Sequence, residues 1–334
     1  MAELLSLKRR LRRQSFRWDI LPPDEQALLE GCHYDADRAE HVCGFFPRFL
    51  RHGKGEFYGK PFELLDWQTE LLSRLFGWVR PDGTRRYRSC YCLVAKRSGK
   101  SVLAAGLALY CLVLDNEKGA ECYNVACSTD QAARLFLAAQ SMIDASPALS
   151  KHLEVIPSKK RIVFPATQSF WQVLSSSSAS AEGLDIHYLC CDELHRWKKP
   201  ELYRALEFGG RSRRQPICPF AITTAGVYNP TSICWELHQY SRDVAAGVIE
   251  DTSHLPILHE IDEDDDWTPD NPKHVQVWKK ANPSLGITTS IDDFERDCRK
   301  AIDVPSSTAS FLRYRLNVWT QATERSIDLE KWQK

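Results

Sequence analysis

The segment V-A-K-R-S-G-K-S at Val94–Ser101 constrains the fold of this chain more than any other stretch. An apolar run at Cys90–Ala95 predicts a buried strand, and Val102–Leu114 is apolar on every side, which predicts a mostly buried helix. A strand, a tight basic loop ending in Gly-Lys-Ser/Thr and a helix form the layout of a phosphate-binding P-loop. Phosphate is favoured there because the N–H groups and the dipole of a helix N-terminus attract an anion.

Each residue at the end of this loop has a predicted role. Gly99 lets the backbone approach the phosphates, Lys100 reaches the β- and γ-phosphates, and the hydroxyl of Ser101 ligates Mg²⁺. The loop departs from the usual pattern because Val94 stands where the first glycine is expected. The alternative is a basic turn before an ordinary helix, since Gly-Lys-Ser also occurs by chance.

A second signal is the strand I-H-Y-L-C-C-D-E-L-H at Ile186–His195. An apolar strand ending in Asp-Glu is the Walker B arrangement, in which Asp192 holds Mg²⁺ and Glu193 orients and deprotonates the attacking water. The alternative is a strand that ends in a solvated acidic turn. His195 either couples the nucleotide site to another element or is an ordinary surface histidine.

Strands and helices alternate along the chain. Glu121–Cys127 predicts another buried strand, and Ser128 begins a capping-box pattern for a helix to about Ala145. The alternation predicts an α/β fold with a mostly parallel central sheet. The apolar run Ile217–Thr224 ends in T-T-A-G, where Thr223 and Thr224 either sense the γ-phosphate by hydrogen bonding or form a plain exit from the strand.

For other polar residues, a functional and a purely structural interpretation both remain open. Gln68, about thirty residues before the P-loop, either contacts an adenine through its amide or is a surface glutamine on a core helix. The arginines Arg211, Arg213 and Arg214 either face phosphates of DNA or of a neighbouring subunit's ATP, or are solvated charges.

Composition limits the possible classes of protein. The 334 residues carry a formal net charge of +0, so nucleic acid would be bound by local basic patches and not by a global field. Twelve cysteines without a C-x-x-C pair indicate reduced, buried thiols. No apolar run is long enough for a membrane span. The basic segment Met1–Arg13 is either a binding arm for nucleic acid or a partner, or a solvated helix end.

The ordered set of motifs resembles a known family. The sequence carries P-F-x-L-x-x-W-Q, V-A-K-R-S-G-K-S, C-C-D-E-L-H-R-W, A-I-T-T-A-G and W-x-x-A-N-P-S-L-G between about Pro61 and Trp319. This order resembles the large terminase subunit of tailed double-stranded DNA phages. The irregular P-loop of that family, with a basic residue inside it and no first glycine, also accounts for Val94.

The resemblance implies a fold, an activity and partners. The fold is a P-loop NTPase of the ASCE/RecA-like class with a small C-terminal helical linker subdomain. The activity is Mg²⁺-dependent ATP hydrolysis that drives double-stranded DNA into a procapsid. The partners are the portal protein of the procapsid, the small terminase subunit and a ring of identical subunits, a pentamer, in the host cytoplasm, with no membrane.

The resemblance also implies roles for individual residues. Trp67 and Gln68 lie near the adenine, and the phosphate-binding residues are Ser98, Gly99, Lys100 and Ser101. Catalysis is assigned to Glu193, Lys100, Lys96 and Arg97, the metal ligands are Ser101 and Asp192, and coupling is assigned to Thr223 and Thr224. Arg211, Arg213 and Arg214 are candidates for an arginine supplied to a neighbouring subunit.

The expected domains are a basic helical region at 1–50, an ATPase core at 51–248 and a linker at 249–334. The family's nuclease is expected to follow near residue 334, so we expect this chain to lack it. Two alternatives remain: a DExH-type helicase or other P-loop nucleic-acid motor, and a non-catalytic nucleotide-binding assembly factor. About ninety residues after Val248 are too few for a helicase's second RecA-like domain, and Glu193 argues against a non-catalytic role.

Overall fold

The computed structural model describes residues 25–174, 183–197, 200–210 and 212–321. The basic segment Met1–Arg13 and the residue Arg211 lie outside these ranges. The strands within them are β1 His33–Tyr34, β2 Trp78–Val79, β3 Ser89–Leu93, β4 Glu121–Val125, β5 Glu154–Ile156, β6 Arg161–Phe164, β7 Ser169–Val173, β8 Ile186–Asp192, β9 Ile217–Thr223 and β10 His254–Leu258.

The helices alternate with these strands. They are α1 Glu25–Leu29, α2 Ala36–Phe49, α3 Asp66–Gly77, α4 Lys100–Val113, α5 Thr129–Asp144, α6 Pro147–Ser150, α7 Pro200–Phe208, α8 Ile233–Ala245, α9 His274–Ala281, α10 Ile291–Asp303 and α11 Pro305–Arg315. None of the helices in the described ranges is long and apolar enough to cross a membrane.

Eight strands form the central sheet in the order β10-β3-β9-β8-β4-β7-β6-β5. Pairing is parallel from β10 to β7 and antiparallel from β7 to β5, so the predicted mostly parallel sheet is confirmed. Leu93 pairs with Thr223, and Asp192 pairs with Ile222. The carboxyl ends of β3, β9 and β8 therefore meet at one edge of the sheet.

Both faces of the sheet are covered, which explains why its central strands are apolar throughout. On β3, Cys90 and Cys92 face a core shared with helices α2 to α5. Tyr91 and Leu93 face a second core shared with α7 and α8. Successive side chains on a strand point to opposite faces, and a sheet buried on both sides needs apolar residues at every position.

The segment after residue 248 differs from the sequence-based expectation of a helical linker. Its first part is β10, which pairs in parallel with β3 at the edge of the central sheet. Pro256 has no backbone N–H to donate. It is tolerated in β10 because an edge strand pairs with a neighbour on one side only. The helices α9, α10 and α11 follow and form a third small core around Trp278, Phe294 and Phe311.

The cysteines follow the expectation from composition. All twelve lie in the described ranges, where none of them forms a disulfide, and all but Cys127 are buried. Burial raises the pKa of the thiols on the central strands, for example that of Cys92 to about 12. These cysteines therefore act as small apolar core residues.

Candidate active site

The P-loop joins the carboxyl end of β3 to the amino end of α4. Gly99 has a φ of +84°, a left-handed conformation that favours glycine, and Lys100 begins the helix. The buried Nζ of Lys100 donates a hydrogen bond to the carbonyl O of Val94 at 3.1 Å and lies 3.8 Å from Oε1 of Glu193. Burial lowers the pKa of Lys100, whereas the charge of Glu193 acts in the opposite direction.

The start of the loop is attached to the C-terminal helices. The backbone N–H of Ala95 donates to the carbonyl O of Ala281 at 3.2 Å, and that of Lys96 donates to the carbonyl O of Tyr314 at 2.9 Å. The Nζ of Lys96 lies 3.4 Å from the centroid of the Tyr314 ring. Arg97 is exposed and has a φ of +70°. The two basic residues of the loop therefore point in different directions, Lys96 onto an aromatic face and Arg97 into solvent.

Asp192 ends β8 next to the P-loop and is only 3% exposed. Its Oδ1 has no hydrogen-bond partner among the described residues. Burial and the adjacent charge of Glu193 raise the pKa of Asp192 to about 7, against the opposing effect of Lys100. A buried carboxylate oxygen without a partner fits a site for a cation.

Glu193 follows in a left-handed conformation with a φ of +52°. Its backbone N–H donates to the carbonyl O of Ile222 on β9 at 2.9 Å, which fixes the turn. One carboxylate oxygen lies 3.8 Å from Nζ of Lys100, and the other lies 3.4 Å from Nε2 of His195. The carboxylate is thereby held between the P-loop lysine and the histidine.

His195 connects Glu193 to the end of β9. Its backbone N–H donates to Oγ1 of Thr223 at 3.0 Å, and its Nδ1 lies 3.0 Å from the same oxygen. Oγ1 of Thr224 lies 3.4 Å from Nδ1. Burial lowers the pKa of His195 to about 4, so the ring is neutral at pH 7. The sequence left the role of His195 open, and the structure places it between Glu193 and both threonines.

Trp67 lies beside the P-loop but is buried, with 3% of its surface exposed. Its Nε1 donates to Oγ of Ser284 at 2.9 Å, and that hydroxyl donates to the carbonyl O of Ser98 at 3.2 Å. The indole therefore supports the P-loop through Ser284.

Gln68 is equally buried and lies close to the glycine of the loop. Its Oε1 accepts a hydrogen bond from the backbone N–H of Leu65 at 3.0 Å, which helps to begin α3. A Cβ added to Gly99 would lie 3.2 Å from Nε2 of Gln68. Ser101 is half-buried in the first turn of α4.

The arginines before β9 lie at the amino ends of the parallel strands, because they precede β9. The P-loop lies at the opposite, carboxyl ends, because it follows β3. Arg213 is paired with Glu117 and with Asp185, each at 2.8 Å. Arg214 is exposed and donates to the carbonyl O of Asp82 at 3.2 Å. Neither contributes to the site within its own chain.

Sequence reasoning missed the contribution of Ser284 and Tyr314. Ser284 belongs to the motif W-x-x-A-N-P-S-L-G, which marked the resemblance but received no role. Tyr314 had no signal in the sequence, because only the fold brings α11 next to the P-loop.

Two family models match the chain. The family model "Terminase large subunit, ATPase domain" matches residues 66–243, more than half of the chain. A second family model, "Terminase large subunit, endonuclease domain", matches residues 248–334. The expectation that this chain holds nothing of the nuclease region is therefore wrong, since that match begins directly after the ATPase domain.

The chain is similar to two curated proteins and to solved structures that include the HK97 large terminase. Protein YmfN of Escherichia coli K12 is 30% identical over 152 residues, which cover 46% of this chain and 32% of that protein. The terminase large subunit of Enterobacteria phage HK97 is 24% identical over 300 residues, which cover 89% of this chain and 56% of that protein. The crystal structure of the HK97 large terminase matches with a TM-score of 0.71 at 24% identity, over 84% of this chain and 55% of that one.

The chain thus spans between a third and somewhat more than half of the length of these relatives. The likeness in structure supports the P-loop fold, and the match to the ATPase-domain model covers the P-loop, Asp192, Glu193 and both threonines. The chain belongs to the terminase large subunit family.

Proposed function

We propose that this chain hydrolyses ATP at the site formed by the P-loop and the Asp192-Glu193 pair, as the motor part of a viral genome-packaging terminase. The observation that carries the proposal is the position of Glu193, with its carboxylate held between Nζ of Lys100 and Nε2 of His195. An acid fixed next to the phosphate-binding lysine is in position to act on a water that attacks the γ-phosphate.

The P-loop would bind ATP. The N–H groups at the start of α4, with Ser98 and Gly99, receive the phosphates, and Lys100 leaves the carbonyl of Val94 to pair with them. Trp67 and Gln68 lie on the side of the loop where we expect the adenine. Since Trp67 is already engaged with Ser284, its part is to shape the wall of that subsite.

Magnesium fits the donors at this site. Ser101 and Asp192 would hold it, because Asp192 brings a buried oxygen without a partner among the described residues. When bound, Mg²⁺ neutralises charge on the phosphate oxygens. Its charge would also keep Asp192 ionised at neutral pH.

Hydrolysis follows from the remaining side chains. Glu193 orients the attacking water and accepts its proton, while Lys100, Lys96 and Arg97 supply positive charge as negative charge shifts in the transition state. His195 keeps Glu193 in place through a contact that also involves Thr223 and Thr224. A change at the γ-phosphate thereby reaches β9, which is the coupling we assign to these threonines.

An arginine from a neighbouring subunit would complete the site and speed hydrolysis, so the isolated chain should turn over slowly. Among the candidates before β9, Arg213 is engaged in two ion pairs, whereas Arg214 is exposed and free to leave its carbonyl acceptor. We therefore favour Arg214 over Arg213, with Arg211 kept as a third candidate.

The wider assembly is proposed from family membership. In the host cytoplasm, a ring of subunits, a pentamer, would engage double-stranded DNA, the portal protein of the procapsid and the small terminase subunit. These partners belong to the whole motor, and the relatives that suggest them are longer than this chain.

The test is steady-state ATP hydrolysis by the chain alone, with linear double-stranded DNA and with single-stranded DNA. We expect turnover that duplex DNA stimulates and that Lys100→Ala abolishes together with ATP binding. Stronger stimulation by single strands would favour a helicase, and ATP binding without any turnover would favour a non-catalytic assembly factor. Either result would contradict the proposal.

A further inference from the structure

Tyr314, in the last turn of α11, holds Lys96 of the P-loop by two separate contacts. Its carbonyl O accepts the backbone N–H of Lys96 at 2.9 Å. Its ring lies under the ammonium of Lys96, 3.4 Å from Nζ to the ring centroid. An ammonium over an aromatic face at this distance is a cation–π interaction, and it is stronger when partly shielded from water, as at this half-buried pair.

The same ring also meets the hydrolysis side of the site. His195 lies edge-on to Tyr314 with 6.3 Å between the ring centroids. His195 in turn contacts Glu193 and Thr223. Burial lowers the pKa of His195, and the charge of Lys96 adds a smaller effect in the same direction. Lys96, His195 and Tyr314 therefore share one local environment.

The contact belongs to a wider attachment between the P-loop and the C-terminal helices. The backbone of Ala95 is bound to Ala281 at the end of α9, directly before Lys96 is bound to Tyr314. Tyr314 and His195 also line one open cavity of about 670 Å³, together with Arg313 and Asn229. Tyr314 therefore contacts the P-loop and borders open space next to His195.

We propose that Tyr314 is a positioning residue for ATP turnover, which holds Lys96 and His195 in place and so ties α11 to the hydrolysis site. A displacement of α11 would shift the P-loop cation and the histidine that supports Glu193 together. This role deepens the proposed ATPase function and rests on it.

The experiment compares Tyr314→Leu, which removes the aromatic face, with Tyr314→Phe, which keeps it. Tyr58, which is 70% exposed, provides the matched control Tyr58→Leu. We expect kcat of Tyr314→Leu to fall about tenfold, while the Kd for ATP stays within about threefold of the wild type. Tyr314→Phe should retain most of the turnover, and Tyr58→Leu should equal the wild type.

A second variant approaches the same contact from the other side. Lys96→Met keeps the length of the side chain without the charge, with exposed Lys300→Met as its control. Because the two side chains act through one another, the double variant Lys96→Met/Tyr314→Leu should lose less turnover than the product of the two single losses, and what it loses beyond Lys96→Met alone reports the contact with His195. If Tyr314→Leu does not fold, Tyr314→Met, which also lacks an aromatic face, replaces it in both comparisons.

The outcomes separate the two claims. A wild-type chain that binds ATP without turnover contradicts the proposed function. A wild-type chain that turns over, with an unchanged kcat in Tyr314→Leu or multiplicative losses in the double variant, overturns the role of Tyr314. Equal losses in Tyr314→Leu and Tyr314→Phe would also overturn it, since the phenylalanine keeps the aromatic face.

Discussion

Replacing Asp192 by asparagine should make the protein more stable at pH 8, although we assign this residue to the active site. The carboxyl is 3% exposed, and its pKa is raised to about 7 from an ordinary value of 3.8. Between these two values the unfolded chain has lost the proton while the folded protein keeps it. The free energy of unfolding therefore falls as pH rises, and this loss is complete above pH 7.

The size of the effect follows from the same shift. One pKa unit corresponds to about 1.4 kcal/mol, so the two units between pH 5 and pH 7 amount to about 3 kcal/mol. Asparagine does not titrate. The stability of Asp192→Asn relative to the wild type should therefore increase by about 3 kcal/mol from pH 5 to pH 8, because the contribution of Asp192 no longer changes above pH 7. Other groups with shifted pKa values, such as Glu260, are present in both proteins and cancel.

Urea unfolding at pH 5 and pH 8, with EDTA to remove divalent cations, measures this difference. Asp144→Asn removes an exposed carboxylate as the matched control and should change the free energy of unfolding by less than about 0.5 kcal/mol. A difference between Asp192→Asn and the wild type that does not depend on pH, or that falls towards pH 8, would refute the reasoning. The stabilised variant should lose affinity for Mg²⁺-ATP, as expected where a site keeps an unfavourable buried charge for its function.

Three further substitutions test the structure around the site. Gly99→Ala places a side chain at a φ of +84° and should cost about 1–2 kcal/mol in urea unfolding while weakening ATP binding. Ser284→Ala removes the acceptor of the Trp67 indole and should cost about 1 kcal/mol, with a shift in tryptophan fluorescence as the second readout. Arg85→Met leaves buried Asp115 with His187 at 2.8 Å but without the guanidinium, and should cost about 3 kcal/mol in urea unfolding, while ATP affinity measured in the folded state stays unchanged.

The central sheet was largely predictable because its strands are local apolar runs separated by helices with clear starts. Strand β10 was missed for a physical reason. It is a five-residue segment that contains Pro256. It becomes a strand because it pairs with β3, which is far from it in the sequence and comes next to it only when the chain folds. A proline is compatible with a strand only at an edge, and the sequence does not say which strand is the edge.

The candidate active site also has a part that local sequence predicts and a part that depends on tertiary packing. Lys100, Asp192 and Glu193 were predicted as site residues from local motifs, because each motif is a short segment whose backbone shape is fixed by its own residues. The contacts of Lys96 with Tyr314 were not predicted, since they depend on how α11 packs against the sheet. Arg213 likewise lies at the amino ends of the parallel strands, opposite the P-loop. Its position follows from the direction of β9, and its charge alone does not predict it.

The measurement that tests the central claim most directly is a single-turnover assay of ATP hydrolysis by Glu193→Gln beside the wild type. Exposed Glu201→Gln on α7 is the matched control, and ATP binding is measured for all three proteins. We expect Glu193→Gln to bind ATP with an unchanged Kd and to lose hydrolysis by at least about 100-fold, with Glu201→Gln equal to the wild type. Hydrolysis by Glu193→Gln near the wild-type rate would contradict the assignment of Glu193 and the mechanism built on it.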